Sequence, residues 1–264
     1  MERGVGASDA AGWALAHGHS ALTTDELAAV LGVPPGQVRQ SLYPGARRGE
    51  WAMPVRGLWV PVPPEYRTWG APPGIEVIDQ MMRHLDIRYY VGWLTAAALH
   101  GAGHQAPQQF QVAVNRHVRD RRVGRTTFSF AQREVHSSMT VPFPTRAGSA
   151  AVSSIGCTVL DIANDTGRAG GINNAATAIV GLSELEGFRV KEVLALAPQF
   201  PASALRRAGW ILDRYGGRED LATLKRAARK GAHTPSRLVP SRDPEGPVDR
   251  TWLLYLNGSV EPDL

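Results

Sequence analysis

Polar side chains of residues 37–56 are of the types that read DNA. A glutamine can form two hydrogen bonds with adenine in the major groove, and an arginine can do the same with guanine. Arginine also binds phosphate through its planar, forked guanidinium, and serine adds single hydrogen bonds to the DNA backbone. The candidate DNA-binding residues are therefore Gln37, Arg39, Gln40, Ser41, Arg47, Arg48 and Arg56.

Two short helices joined by a tight turn must position these side chains. The stretch 23–26 offers a cap followed by acidic residues, which indicates a helix start, and Gly32 can end that helix in the left-handed conformation. Prolines at 34–35 suit the start of a second helix. The small Ala28, the turn at Gly32 and the inward Val38 have the spacing of a helix-turn-helix, because a small residue lets the two helices cross closely.

A predicted hairpin follows this helix pair. Two short apolar strands between Glu50 and Val60 flank a turn at Arg56-Gly57. A hairpin in this position is typical of a winged helix, whose tip contacts the minor groove or a phosphate. The same sixty residues would also suit a helical protein-interaction domain with solvated arginines. We favour DNA binding and predict a winged helix-turn-helix domain over residues 1–61.

Composition bounds the remaining possibilities. The chain has 264 residues, of which 43% are hydrophobic and 20% charged, so it can bury a sizeable core, and two domains are favoured. The net charge is +5, but residues 1–70 carry six basic and six acidic groups, so the excess lies further along the chain. DNA binding is therefore inferred from where the arginines lie and not from how many there are.

The single cysteine and the hydropathy pattern bear on compartment. One thiol, Cys157, excludes an internal disulfide and a cysteine-cluster zinc site, and it fits a reducing compartment. No run approaches the roughly 18 apolar residues of a membrane span, and residues 1–19 lack the order of a signal peptide. We therefore expect a cytoplasmic protein without a membrane partner.

The rest of the chain is predicted to form a larger domain. Five prolines between Val60 and Ile75 indicate a linker, because proline disrupts regular elements. The expected fold class is α+β: the winged helix-turn-helix at 1–61, a proline-rich linker at 62–74, and a mixed α/β domain rich in helices at 75–264. Within it, Phe110–Val114 alternates as a strand with Thr126–Phe130 as its partner, and Thr251–Leu256 suits an edge strand.

Two basic clusters lie in this larger domain. One is a predicted turn, 116–125, with a net charge of +4, and the other is the run 225–230. Each cluster could extend the DNA footprint, bind a protein partner or face solvent. The candidate partner or DNA contacts are Arg116, Arg119, Arg121, Arg122, Arg125, Lys225, Arg226, Arg229 and Lys230.

Residues that could support catalysis do not form a convincing site. His100 and His104 are four apart, but glycines at 101 and 103 interrupt a shared helix face. Asp161 and Asp165 have the same spacing, yet an aspartate late in a helix more often bonds locally or faces water. Cys157 lacks an activating motif, and the glycines at 167–171 lack the Lys-Ser/Thr ending of a phosphate-binding loop. We predict no catalytic residue, no metal and no cofactor, and therefore not an enzyme.

Several short sequence blocks follow one another in the second predicted domain. They are Trp93–Gly101, Gln105–Pro107, Phe110–Val114, Val152-Ser153, Thr158–Asp161, Gly170-Gly171, Leu205–Leu212 and Trp252–Leu254 with Asn257 and Glu261. Together with the preceding winged helix and proline-rich stretch, their order and spacing resemble the AbiEi antitoxin family over nearly the whole chain. The family commonly has a Glu-Arg pair before its Thr-Leu-Leu-Asp block. In this chain Ile155-Gly156-Cys157 occupies that place. A partner contact made through the Glu-Arg pair is therefore not expected here.

This resemblance implies an antitoxin of a type IV, AbiE-like toxin–antitoxin system, of the kind that acts in phage defence by abortive infection. Its partner would be an AbiEii-like nucleotidyltransferase toxin. The N-terminal winged helix would bind inverted repeats in the promoter of its own operon and act as a transcriptional repressor. The larger C-terminal domain would be needed to neutralise the toxin.

Two other functions remain open from the residues alone. A winged helix could target a nuclease or hydrolase to DNA, although residues 75–264 lack an Asp…Glu-x-Lys pattern. The larger domain could also sense a small ligand, which would make the protein a ligand-sensing transcriptional regulator.

Overall fold

The computed structural model describes residues 5–103, 107–230 and 234–264, and shows an α+β protein, as the sequence predicts. The chain divides into two compact units. The first comprises the described residues of Met1–Tyr90, Gln108–Val135 and Pro142–Ala151, and the second comprises those of Val91–Pro107, His136–Val141 and Val152–Leu264. This division differs from the predicted segments 1–61, 62–74 and 75–264, because the N-terminal elements share their unit with strands that come from far along the chain.

The first sixty described positions form three helices and a small sheet. The sheet is antiparallel, with strand order β1-β3-β2. The apolar faces of the elements meet in one core that includes Leu27, Val38, Leu42, Trp51 and Trp59. The elements are α1 (Ala10–Ala16), β1 (Leu22–Thr23), α2 (Thr24–Leu31), α3 (Pro35–Arg47), β2 (Trp51–Val55) and β3 (Leu58–Pro61).

Local sequence accounts for the two helices α2 and α3. Thr23 Oγ1 accepts a hydrogen bond from the Glu26 backbone, and the Glu26 carboxylate accepts one from the Thr23 backbone at 2.6 Å, which completes a capping box. Gly32 ends α2 with φ +66°, in the left-handed region. Pro35 occupies the first position of α3, where no N–H donor is required. The predicted start and end of α2 are thus confirmed.

The proline-rich stretch contains a regular element that the sequence did not indicate. A 3-10 helix spans Pro64–Trp69, and Pro64 stands at its first position, where proline is tolerated. The helix ends at Gly70, which has φ +78°. The following helix α4 (Gly74–His84) ends shortly before Asp86, which takes a positive φ of 52°.

A six-stranded mixed sheet has the order β6-β7-β5-β4-β9-β8. The predicted pairing of 110–114 with 126–130 is confirmed, and it is parallel. Parallel neighbours require a crossover, so the basic segment 116–125 is not the simple turn that was predicted. It carries the short strand β6, which pairs antiparallel with β7. The strands are β4 (Tyr89–Val91), β5 (Phe110–Val114), β6 (Arg121–Val123), β7 (Thr126–Gln132), β8 (Thr140–Thr145) and β9 (Gly148–Ser153).

The second unit is mainly helical, with a small sheet of order β10-β12-β11. The run 251–256, predicted as an edge strand, instead supplies the middle strand of this sheet, parallel to β10 and antiparallel to β11. No helix in the described ranges has the length and apolar character needed to cross a membrane. The elements are α5 (Trp93–His100), α6 (Ile155–Asn164), α7 (Ile172–Glu184), α8 (Val190–Leu196), α9 (Ala202–Tyr215), α10 (Ala222–Arg229), β10 (Ser236–Arg237), β11 (Val248–Asp249) and β12 (Leu254–Tyr255).

The side chains of two buried arginines in α9 donate hydrogen bonds to backbone carbonyls at the ends of other helices. These carbonyls have no N–H partner within their own helix. Arg206 Nε donates to the Ala228 carbonyl at 3.1 Å, at the end of α10, and Arg207 Nη1 donates to the Ala163 carbonyl at 2.5 Å, at the end of α6. Burial and, to a smaller extent, the nearby Arg237 lower the pKa of Arg207 to about 10. These arginines therefore join helices in the core and are not available to an external partner.

Asp213 of α9 connects two other elements of the same unit. Its carboxylate accepts a hydrogen bond from Trp252 Nε1 at 3.0 Å and pairs with Lys225 Nζ of α10 at 2.8 Å. Burial opposes ionisation, but the bonds from Lys225 and Trp252 outweigh it and lower the pKa of Asp213 below its ordinary value of 3.8.

We expect Asp213→Asn to destabilise the protein by about 1 kcal/mol at pH 7, since a charge-assisted bond to a partly exposed group is lost. Because the folded pKa is depressed, this stabilisation is present above pH 3.8 and disappears as the pH falls through the folded value. Urea unfolding of the unchanged protein and of the Asp213→Asn variant at pH 7 and pH 3 tests this prediction. The difference between their free energies of unfolding should be smaller at pH 3. An equal difference at both values would contradict this role of the carboxylate.

Candidate nucleic-acid interface

One face of α3 is buried and the opposite face is open to solvent. Val38 and Leu42 are fully buried, and they fix the helix against the N-terminal core. Arg39, Gln40 and Arg47 are exposed on the other side, with Gln37 exposed nearer the start of the helix. Ser41 is only half-buried, so it is less accessible than its neighbours. The structure thus gathers most of the predicted DNA-binding side chains on one accessible helix surface.

Tyr43 belongs to this surface, although the sequence analysis did not select it. The side chain is 60% exposed, which is unusual for a large aromatic residue. It lies three residues after Gln40 and four residues before Arg47, so the three share one stripe of the helix. This spacing from two candidate residues is the signal that could have identified it.

The two adjacent arginines at the end of α3 differ in availability. Arg48 forms two parallel bonds with Glu50, Nε to Oε1 at 3.0 Å and Nη2 to Oε2 at 2.9 Å. The hydrogen bonds from Arg48 lower the pKa of the Glu50 carboxyl, so the pair stays ionised and neutral overall. Arg47 is exposed and has no such partner in the described chain. Arg47 is therefore the better placed of the two to meet a phosphate.

Backbone bonds fix the turn between β2 and β3. Gly57 has φ +85°, which favours glycine there, and its carbonyl accepts from the Thr24 backbone N–H at 2.9 Å. The Arg56 carbonyl accepts a bond from His84 Nε2 of α4 at 3.1 Å. The Arg56 side chain itself is exposed. The turn thus presents a guanidinium from a fixed backbone.

The five arginines of 116–125 have different surroundings. Arg116 donates to the Leu85 carbonyl at the end of α4, and Arg121 donates to the Pro54 carbonyl of β2 at 3.2 Å. Burial lowers the pKa of Arg121, whose side chain is half-buried. Both are therefore structural contacts within the first unit. Arg116 is nevertheless exposed, as are Arg119, Arg122 and Arg125.

The second basic run lies on α10, in the second unit. Lys225 is engaged by Asp213. Arg226, Arg229 and Lys230 are exposed at the C-terminal end of the helix, where cations are favoured by the helix dipole. Three of the four predicted cations of this run are thus available to a partner.

The residues considered for catalysis are separated or engaged locally. His100 Nε2 lies 2.7 Å from the Ser153 carbonyl, while His104 and the Gln105-Ala106 part of the sequence blocks fall outside the described residues. Asp165 pairs with Arg168, whereas Asp161 and Cys157 are fully buried. Across 5–103, 107–230 and 234–264, no group of three or more histidine, cysteine, aspartate or glutamate residues could hold a metal ion.

Comparison with known proteins adds a family and a fold. Residues 90–214 match the family model of the AbiEi antitoxin C-terminal domain. The crystal structure of the RV2827C protein from Mycobacterium tuberculosis is similar in fold, with a TM-score of 0.66 and 17% sequence identity over 94% of this chain and 90% of that chain. No curated protein matches the chain. The similarity to the AbiEi antitoxin family thus lies in residues 90–214, where the chain matches the C-terminal domain of that family.

Proposed function

We propose that the protein is an antitoxin that also represses its own operon, by binding inverted repeats in the promoter through an N-terminal winged helix-turn-helix. The observation that carries the DNA-binding part is the exposed face of α3, where Arg39, Gln40 and Arg47 lie opposite the buried Val38 and Leu42. A rigid helix with glutamine and arginine on its accessible face has the chemistry for major-groove readout.

The arrangement of the first elements supports a winged helix. The order is helix, strand, helix, helix, strand, strand, and the three strands form one antiparallel sheet. In this interpretation α3 is the recognition helix and the β2–β3 hairpin is the wing. The bonds to Thr24 and His84 hold the wing tip, so that Arg56 reaches a phosphate or the minor groove without ordering a loop.

The side chains of this surface then have distinct roles. Arg39 and Gln40 contact base edges, while Arg47 and Arg56 contact phosphates. Tyr43 supplies an aromatic surface between them, suited to the methyl group of thymine or to a sugar. Arg48 contributes little net charge, because it is engaged by Glu50.

Toxin neutralisation is assigned to the second unit, which holds most of the family-matched residues 90–214. The proposed partner is an AbiEii-like nucleotidyltransferase toxin in the cytoplasm, in a type IV system acting in phage defence. Arg226, Arg229 and Lys230 are candidate contacts, since their exposed charges are free to pair with acidic groups. No catalytic step is assigned to this chain.

Two assays test the proposal. The purified chain should shift a duplex from upstream of its own gene that contains inverted repeats, and it should lower expression of a reporter placed behind that promoter. Co-expression should restore growth of cells that express the toxin encoded beside it. Absence of both effects would contradict the proposal, and metal-dependent cleavage of the duplex would favour a nuclease.

A further inference from the structure

We propose that a second basic surface contacts the DNA backbone beyond the half-site read by α3. The surface, named here the flanking patch, consists of Arg67, Trp69, Arg122 and Arg125, all in the first unit. The inference rests on the proposed DNA binding through α3. It adds a set of phosphate contacts from segments that lie far apart in the sequence.

Close backbone approaches connect the end of α3 to this patch. Gly49, directly after α3 and its cap, lies so near the 3-10 helix that a methyl group on it would stand 3.1 Å from the Arg67 carbonyl oxygen. Gly124, in the β6–β7 turn, lies against the end of the same 3-10 helix: a methyl group there would stand 2.3 Å from the Trp69 carbonyl oxygen. The 3-10 helix therefore bridges α3 and the β6–β7 turn.

The side chains of Arg67, Arg122 and Arg125 are exposed. None of them forms an ion pair with a carboxylate in the described part of the chain. Arg122 is exposed and donates through Nε to the Gly124 carbonyl at 3.0 Å, which leaves its two terminal nitrogens without a hydrogen bond in the described residues. Three positive charges therefore remain on this surface.

Carboxylates of the surrounding elements are already engaged. Glu50 is held by Arg48, and Glu65 is held by Arg146 at 3.1 Å. Asp120, beside β6, is exposed and accepts a bond from the Phe130 backbone at 2.8 Å. Its single negative charge does not balance the three arginines of the patch, so the patch stays net positive and attractive to an anion.

Phosphate is the anion that best fits this chemistry. The guanidinium fork matches the phosphate group, and backbone contacts of this kind position a protein without reading sequence. Trp69, whose side chain is 44% exposed, adds an aromatic surface beside the arginines, as is common where nucleic acid binds. The close approach of the 3-10 helix to the end of α3 favours DNA over an acidic protein, because one extended ligand could contact both elements.

The salt dependence of DNA binding tests the flanking patch. In the full chain, Arg122→Gln/Arg125→Gln should reduce the slope of log Kobs against log salt by about 2 on a duplex that extends one helical turn beyond each repeat. On a duplex ending at the repeats, the slope should equal that of the unchanged protein. Arg67→Gln, in a different element, should reduce the slope by about 1 on the long duplex and guards against a folding defect in the hairpin variant.

A matched control and the contrary outcomes complete the experiment. Arg214→Gln/Arg250→Gln removes the same charge from exposed positions of the second unit that carry no proposed contact, and it should leave the slope unchanged. An equal decrease of the salt slope in the control variant would overturn the inference. Loss of toxin binding by the patch variants without loss of DNA affinity would also overturn it. If the patch variants bind normally while Arg39→Ala/Gln40→Ala does not bind, only the inference fails. If neither set affects binding, the proposed recognition through α3 fails as well.

Discussion

Replacing Arg39 and Gln40 by alanine is expected to abolish the shift of promoter DNA while toxin neutralisation remains intact. Both side chains are exposed on α3, so their loss leaves the buried face of the helix unchanged. Each base contact of this type contributes about 1–3 kcal/mol, so removing both should weaken specific binding by at least about 30-fold. Gel shifts and a growth assay with co-expressed toxin measure the two properties separately.

The matched control for this variant removes charges that should not matter. Arg48→Gln/Glu50→Gln deletes a neutral ion pair at the end of the same helix. Its DNA affinity should stay within about threefold of the unchanged protein, because an exposed pair contributes little to stability or net charge. Normal DNA binding by Arg39→Ala/Gln40→Ala would refute the assignment of α3 as the recognition helix. Equal losses in both variants would indicate a general effect of altering the helix end.

Gly209→Ala is expected to destabilise the protein by about 3 kcal/mol, at the upper end of the usual cost of overpacking a core. The added methyl group would lie 1.9 Å from Cζ3 of Trp252, well inside van der Waals contact. Trp252 cannot move easily, because its indole is buried and its Nε1 is bound to Asp213. Urea unfolding should therefore show a lower midpoint, and toxin neutralisation should weaken at elevated temperature.

Two further variants distinguish packing from helix propensity. Gly12→Ala makes the same chemical change in α1, where a methyl group meets nothing within 4 Å, and it should stabilise the protein by about 0.5–1 kcal/mol. Gly209→Ala/Trp252→Phe should recover part of the loss, since the smaller ring reaches less far towards α9. A Gly209→Ala protein as stable as the Gly12→Ala protein would show that the indole does not lie against this glycine.

Local features of the N-terminal elements follow from the sequence alone. The capping residues Thr23 and Glu26, the left-handed Gly32 and the buried pair Val38 and Leu42 were all recognisable, because caps and helical periodicity are written within a few consecutive residues. The blocks that resemble AbiEi antitoxins were recognisable for the same reason, and residues 90–214 match the C-terminal domain of that family.

The role of each arginine was not recognisable in this way. Arg121 and Arg122 are neighbours in sequence, yet one donates into β2 and the other faces outward, because alternate residues of a strand point to opposite sides. The parallel pairing of β5 and β7 determines that the basic segment between them is a crossover and not a turn.

Sequence by itself determined which residue types stand at the proposed DNA and partner surfaces, since side-chain chemistry and short-range periodicity depend only on adjacent positions. Tertiary structure alone decided which of those residues are available. Arg206 and Arg207 donate to carbonyls 22 and 44 residues away, while Gly124 lies against the end of the 3-10 helix that carries Arg67. Long-range packing determines which arginines are buried. A buried guanidinium bonds to backbone carbonyls of the same chain, whereas an exposed one can bind an external anion.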